Sequence, residues 1–255
     1  MVATLAERQQ GEARVIGPAP RGAEVIRTES LWRVYRVGST EIPALRGVDL
    51  HVGQGAFVAL KGRSGSGKTT LLNCLGGLDQ PTSGAVQALG QDLARLNDDS
   101  LTRWRREQVG FVFQTFGLIP TLSAYENVEL MLRLKGSPTN EWHRRTLACL
   151  ELAGVGRWGH HRPYEMSGGQ QQRVAIARSL ANQPQVILAD EPTGELDSTT
   201  GREILALFRK VVDDEHVTLV MVTHDPFVAD YADEVLMLRD GRIVDSQRKE
   251  VIRVE

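Results

Sequence analysis

Strand-like runs of apolar and β-branched residues recur along the chain at Glu24–Thr28, Val48–Val52, Ala56–Lys61, Val109–Phe113, Val186–Ala189, Val217–Thr223 and Glu234–Leu238. Between the third and fourth, Thr69–Leu78 carries helical spacing, with Leu71, Leu72 and Leu75 on one side, and Pro81-Thr82-Ser83-Gly84 ends it. The stretch from Thr115 to Glu165 reads differently. Its signals are mostly helical, broken at Pro120, Gly136, Pro138 and Gly154, as expected of a helical subdomain inserted into an α/β core. Residues 1–22, ending in Gly17-Pro18-Ala19-Pro20-Arg21-Gly22, read as a flexible extension. One domain is expected over 23–245, with the helical insertion at about 115–165 and a tail over 246–255.

Composition changes this picture little. Hydrophobic residues make up 41% and charged residues 24% of 255, ordinary for a globular chain. A net charge of -2 gives no electrostatic reason to expect a nucleic-acid partner. Only Cys74 and Cys149 are present, which suits small buried apolar side chains in a reducing compartment better than a disulfide scaffold. Met1–Val15 interleaves charges with small residues and shows no signal-peptide pattern, and no run nears the roughly 20 apolar residues of a membrane span.

Candidate chemistry begins at Gly62-Arg63-Ser64-Gly65-Ser66-Gly67-Lys68-Thr69, followed by Thr70. It matches G-x-x-x-x-G-K-[ST], follows an apolar strand and opens a helix, which is the context a phosphate-binding loop requires. Glycines let the backbone wrap around phosphates while N–H groups and the helix N-terminus supply positive potential. Lys68 adds a point charge for the β and γ phosphates, and the Thr69 hydroxyl can ligate Mg²⁺. A Gly/Ser-rich turn is the bland alternative, which the full spacing and both flanks disfavour. Downstream, Val186–Ala189 ends in Asp190-Glu191, where Asp190 suits Mg²⁺ and Glu191 suits polarising a water.

Met166-Ser167-Gly168-Gly169-Gln170-Gln171-Gln172-Arg173 is the segment that narrows the class. It resembles the L-S-G-G-Q signature of the ABC ATPases, with Met166 in place of Leu. The resemblance covers about Glu24 to Arg242. It implies an α/β P-loop NTPase fold with a RecA-like core, an antiparallel β subdomain and the inserted helical subdomain. It also assigns Gln114 as the glutamine that senses Mg²⁺ and the γ-phosphate, His224 as the switch histidine, and Asp197 as part of the interface loop in which Glu195 replaces the usual Asn. Tyr35 resembles the aromatic that stacks on adenine, with Trp32 close by as an alternative. Further segments, among them Gly76–Gly84, Gly117–Pro120 and Tyr125–Val128, narrow the resemblance to lipoprotein-releasing, macrolide-efflux and FtsE-like ATPases (LolD/MacB type).

The resemblance further implies ATP and Mg²⁺ as cofactors and a head-to-tail homodimer. Gly62–Thr69, Gln114, Asp190, Glu191 and His224 of one subunit would face Ser167, Gly168, Gly169 and Gln170 of the other. Lys68, Glu191 and His224 would carry the chemistry. The expected partner is an integral membrane permease, which would hold the chain at the cytoplasmic face of the cell membrane. Phe116, Leu118, Ile119 and Leu122 are then candidate permease contacts, or equally the subdomain's own core. A non-transport ABC ATPase acting on nucleic acid or ribosomes, and a binding module without turnover, are the competing readings.

Overall fold

A computed structural model describes residues 23–249. The expected extension over 1–22 and the end of the chain from 250 lie outside the described residues. The chain opens with a long antiparallel hairpin, β1 (Glu24–Val37) and β2 (Thr40–Gly53), turned at Gly38 with φ 60°. With β4 (Ser83–Ala88) and β5 (Gln91–Asp92) it forms a four-stranded sheet of order β2-β1-β4-β5. The sequence pattern caught only the buried stretches of this hairpin. Repeated register shifts between β1 and β2 break the alternation elsewhere.

The second sheet has six strands. Its first strand, β3 (Phe57–Lys61), leads into α1 (Lys68–Leu75). Then follow β6 (Val109–Val112), β7 (Val186–Asp190), β8 (Thr218–Val222), β9 (Glu234–Arg239) and β10 (Arg242–Arg248). Their order is β10-β9-β3-β8-β7-β6, parallel throughout except for β10 against β9. Parallel strands covered on both faces carry continuous apolar runs. Phe57–Leu60 and Thr218–Val222 are accordingly buried along their length. The final strand runs to Arg248, three residues past the expected boundary at 245: Arg248 and Ser246 both bind the mostly buried Glu234 carboxylate of β9, at 3.0 and 2.7 Å. That pairing depends on residues a dozen positions apart, which local composition does not show.

Helix α2 (Asp98–Gln108), capped by Asn97, precedes β6. The expected helical insertion contains two antiparallel helices, α3 (Ala124–Lys135) and α4 (Thr139–Leu152), followed by single 3₁₀ turns up to Glu165. Ser123 and Glu126 form a capping box that starts α3, and Gly136 at φ 76° ends it. Residues 115–122 before it are loop rather than helix. That loop is pinned by Asn127, which is fully buried: its amide donates to the carbonyls of Ile119, Leu122 and Ser123 at 3.0–3.1 Å, and its Oδ1 accepts from the Ile119 N–H at 2.8 Å. Helices α5 (Gly168–Leu180) and α6 (Ser198–Glu215) complete the core. Cys74 and Cys149 are free and buried, and burial pushes their thiols up to about 12 and about 11.

Asn127→Ala should strand the Leu122 carbonyl and the Ile119 N–H, leave the Ile119 and Ser123 carbonyls with only their backbone donors, and lower stability by about 2–4 kcal/mol. Urea unfolding with an unchanged midpoint would show that the loop holds its shape without Asn127.

Candidate functional site

The parallel order brings the carboxyl ends of β3, β7 and β8 side by side, and the sequence-selected residues follow directly from them. After β3 the chain approaches its neighbours too closely for side chains. A Cβ on Gly62 would sit 2.2 Å from the Leu238 carbonyl, and one on Gly67, at φ 102°, 2.5 Å from that of Ala44. Arg63, Ser64 and Gly65 stay exposed at the loop's tip, while Ser66 is buried. Lys68 opens α1 and is 8% exposed. Its ammonium donates to the carbonyls of Gly62 (2.9 Å) and Arg63 (3.2 Å) and lies 3.9 Å from Glu191 Oε1.

The two carboxylates at the end of β7 do different work. Asp190 Oδ1 accepts from the exposed Thr69 hydroxyl at 3.2 Å. Burial raises the Asp190 pKa, and the Glu191 charge adds to the rise, while Thr69 and Lys68 oppose it. A carboxylate left short of positive charge beside a hydroxyl is a suitable oxygen pair for Mg²⁺, an ion that keeps waters and phosphate oxygens as its other ligands. The residues present therefore fit that ion. Glu191 adopts φ 47°, a conformation unusual for a side-chain-bearing residue, held by its N–H donating to the Val222 carbonyl at 2.9 Å. Its Oε2 accepts from the His224 N–H at 3.1 Å and lies 2.8 Å from His224 Nδ1. The His224 ring itself is largely exposed, so it can turn toward a ligand without unpacking the core.

Gln114 follows β6 and donates to Glu195 Oε1 at 3.1 Å. This contact links the two loops through the residue that departs from the family pattern, and motif matching did not reveal it. Ser167 caps α5: its hydroxyl accepts from the Gln170 N–H at 3.3 Å and Gln170 Oε1 accepts from the Ser167 N–H at 2.9 Å. A Cβ on Gly169 would meet Thr200 at 2.6 Å, and Thr200 donates to Asp197, the cap of α6. Among the described residues, the hydrogen bonds and ion pairs within this chain tie Ser167–Gln170 to their own helix start and not to the Lys68–Glu191 cluster. Met166 is buried, so an apolar swap there suits its place.

Tyr35 lies on the β1 edge facing α1. Its hydroxyl donates to Asp79 Oδ2 at 2.5 Å and interacts with Thr70; burial first, then Asp79, raises the phenol pKa. Trp32 instead packs by Gly47. Of the four candidate contact residues, Phe116 and Leu118 pack partly into the core, Leu122 is half-buried and Ile119 is 39% exposed.

The ABC transporter family profile matches residues 45–194. An uncharacterized ABC transporter ATP-binding protein of Thermotoga maritima is 48% identical over 229 residues, 90% of this chain and 97% of that protein. The chain belongs to the ABC transporter family. A macrolide export ATP-binding/permease protein MacB of Syntrophobacter fumaroxidans is 46% identical over 222 residues, 86% of this chain but 31% of that longer protein. Among solved structures, a dimeric post-hydrolysis state of the ATP-binding cassette MJ0796 bound to ADP and Pi superimposes with a TM-score of 0.82 at 44% identity. The match covers 89% of this chain and all of that one. This ABC cassette is an ATPase, and its mixed α/β architecture is that of the family.

Because the Asp190 carboxyl is raised, its charge opposes folding above the normal carboxylate range, and stability from the protonated form is lost as pH rises through the raised value. Without nucleotide, Asp190→Asn should raise the melting temperature at pH 7, with the gain shrinking as pH falls below that range. A variant less stable than the parent at pH 7 would show that Asp190 is already compensated.

Proposed function

We propose that this chain is the ATP-hydrolysing subunit of a bacterial export system, working as a homodimer beneath an integral membrane permease related to the FtsX/MacB type. The observation that carries the catalytic half of this reading is the Lys68–Glu191–His224 cluster, a cation and a carboxylate held 3.9 Å apart at the head of the phosphate-binding loop.

In this reading the backbone N–H groups of Gly62–Thr69 cradle the phosphates. Lys68 exchanges its two carbonyl partners for β and γ oxygens. Glu191, oriented by His224, accepts a hydrogen bond from the attacking water, which adds to the γ-phosphorus as the bond to the ADP oxygen breaks. Mg²⁺, when bound, would neutralise charge on the phosphate oxygens, and Thr69, Asp190 and Gln114 would be the residues that hold it. Ser167–Gln170 present a hydroxyl, two glycine N–H groups and a helix start, a second phosphate-seeking surface with no partner of that kind among the described residues. In a head-to-tail dimer it closes over the other subunit's nucleotide. A γ-phosphate gripped from both faces favours the closed pair, and its loss on hydrolysis removes that preference. Tyr35 would support the base.

The permease reading rests on relatives in which the cassette is joined to a permease, among them the MacB protein and the pyoverdine export protein PvdT of Pseudomonas fluorescens. No helix among the described residues is long and apolar enough to cross a membrane. Attachment to the cytoplasmic face would then run through the permease. From Lys68 to Ser167 the chain holds α-helices of 8 to 14 residues, single 3₁₀ turns and short strands, and no coiled-coil arm of the kind DNA-acting relatives carry.

Lys68→Ala should cut turnover by roughly 10²–10³, the effect of losing one preorganised electrostatic donor. A steady-state phosphate-release assay that finds parental activity would contradict the cradle. Ser167→Arg should abolish hydrolysis while monomers still bind ATP, read by nucleotide binding beside turnover. Purification in detergent from the native host should recover an integral membrane subunit; recovery with DNA or ribosomes instead would favour the non-transport reading.

A further inference from the structure

Asp79 falls in the Gly76–Gly84 segment but was given no role of its own above, and its carboxylate is saturated. Oδ1 accepts from Arg33 Nη2 at 2.7 Å and from the Gln80 N–H at 2.8 Å; Oδ2 accepts from Arg33 Nε at 2.9 Å and the Tyr35 hydroxyl at 2.5 Å. Asp79 is itself fixed to the phosphate helix, because the N–H groups of Leu78 and Asp79 donate to the Asn73 carbonyl of α1 at 2.8 and 3.2 Å. Arg33 and Tyr35, two apart on β1, share a strand face, and the guanidinium carbon lies 4.5 Å from the Tyr35 ring centroid. Bidentate Arg–carboxylate pairing fixes the guanidinium plane as well as its position. One face of the tyrosine ring is therefore backed by a held cation, and its hydroxyl is tethered to the helix that begins with Lys68 and Thr69.

We infer that Asp79 is a positioning residue for nucleotide binding: with Arg33 it locks the Tyr35 ring at a fixed offset from the phosphate loop, leaving the other ring face for a planar purine base. This rests on Tyr35 being the base platform. The β1–β2 hairpin belongs to a different sheet from the phosphate loop, so base and phosphate sites need a bridge between them. Asp79 supplies it, by ion pair to the hairpin and by backbone to α1. Asp79 touches neither the base nor the phosphates, and its effect on affinity passes through the ring.

The test measures binding of Mg²⁺–ATP and of inorganic tripolyphosphate, which lacks a base, by competition against a fluorescent ATP analogue. The proteins are the parent, Asp79→Asn, Arg33→Met, Tyr35→Phe and Tyr35→Ala. Tyr35→Ala should weaken ATP roughly 5- to 150-fold, the size of one base–aromatic stack. Asp79→Asn should weaken it by a fraction of that, about three- to tenfold, raising KM far more than it lowers kcat. Tripolyphosphate affinity should be unchanged in all. If Asp79→Asn does not fold, Arg33→Met and Tyr35→Phe each remove one bond of the same clamp and should show the same selective loss. Unchanged ATP affinity in Tyr35→Ala would overturn the base platform and the clamp with it. A loss in Tyr35→Ala with none in Asp79→Asn, Arg33→Met or Tyr35→Phe would overturn the clamp alone. Equal losses for ATP and tripolyphosphate in Asp79→Asn would also overturn it, by showing that Asp79 acts on the phosphate helix.

Discussion

The Lys68 ammonium is buried where three parallel strands end, and its nearest partners are two backbone carbonyls and one carboxylate. Burying a cation is costly unless it is hydrogen-bonded and paired. Inward-turned loop carbonyls meet most of this requirement, and the Glu191 carboxylate stands beside them. That requirement explains much around it: glycine where Leu238 and Ala44 press against the loop, the left-handed backbone at Glu191, and the adjacency of β3, β7 and β8. In the proposed reading a phosphate ligand would relieve the arrangement by offering Lys68 charged oxygens in place of carbonyls. The raised Asp190 carboxyl points the same way, since burial outweighs the hydrogen bond from Thr69 and the nearby Lys68 charge.

The remaining elements place secondary surfaces around this centre. The hairpin sheet carries Tyr35 to the flank of α1, with Asp79 as the tie. The loop after β6 brings Gln114 to Glu195, and Arg178 of α5 donates to the carbonyls of Phe116 and Gly117 at 3.1 and 2.5 Å. Movement of the segment after Gln114 is thus joined to the helix whose first turn is the signature. The guanidinium is buried enough that its pKa is lowered, so this link is a costly one to break.

Much of this was legible in the sequence, for a physical reason. Close backbone approach to phosphate admits few residues, so the spacing of Gly62, Gly67 and Lys68 reports its own geometry, and buried parallel strands announce themselves as apolar runs. Ser167–Gln170 was legible as a resemblance, and its capping box follows from residue types three apart. What stayed hidden depends on distant partners. The outer parts of the β1–β2 hairpin are half-exposed and bulged, β10 is recognised only through Glu234, and Asp79 gains meaning only when Arg33 and Tyr35 arrive from a strand more than forty residues away. Arg33 and Tyr35 stand two apart on β1, but nothing local names their common acceptor.

We propose that Lys68–Glu191 forms half of a site and Ser167–Gln170 the other half, contributed by a second copy. Light scattering of Glu191→Gln with Mg²⁺–ATP addresses it directly, because the variant should bind nucleotide without consuming it. A dimer of twice the chain mass should form with ATP, disappear with ADP, and fail to form when Ser167→Arg is added. A species that stays monomeric with saturating ATP, or a dimer indifferent to Ser167→Arg, would contradict it.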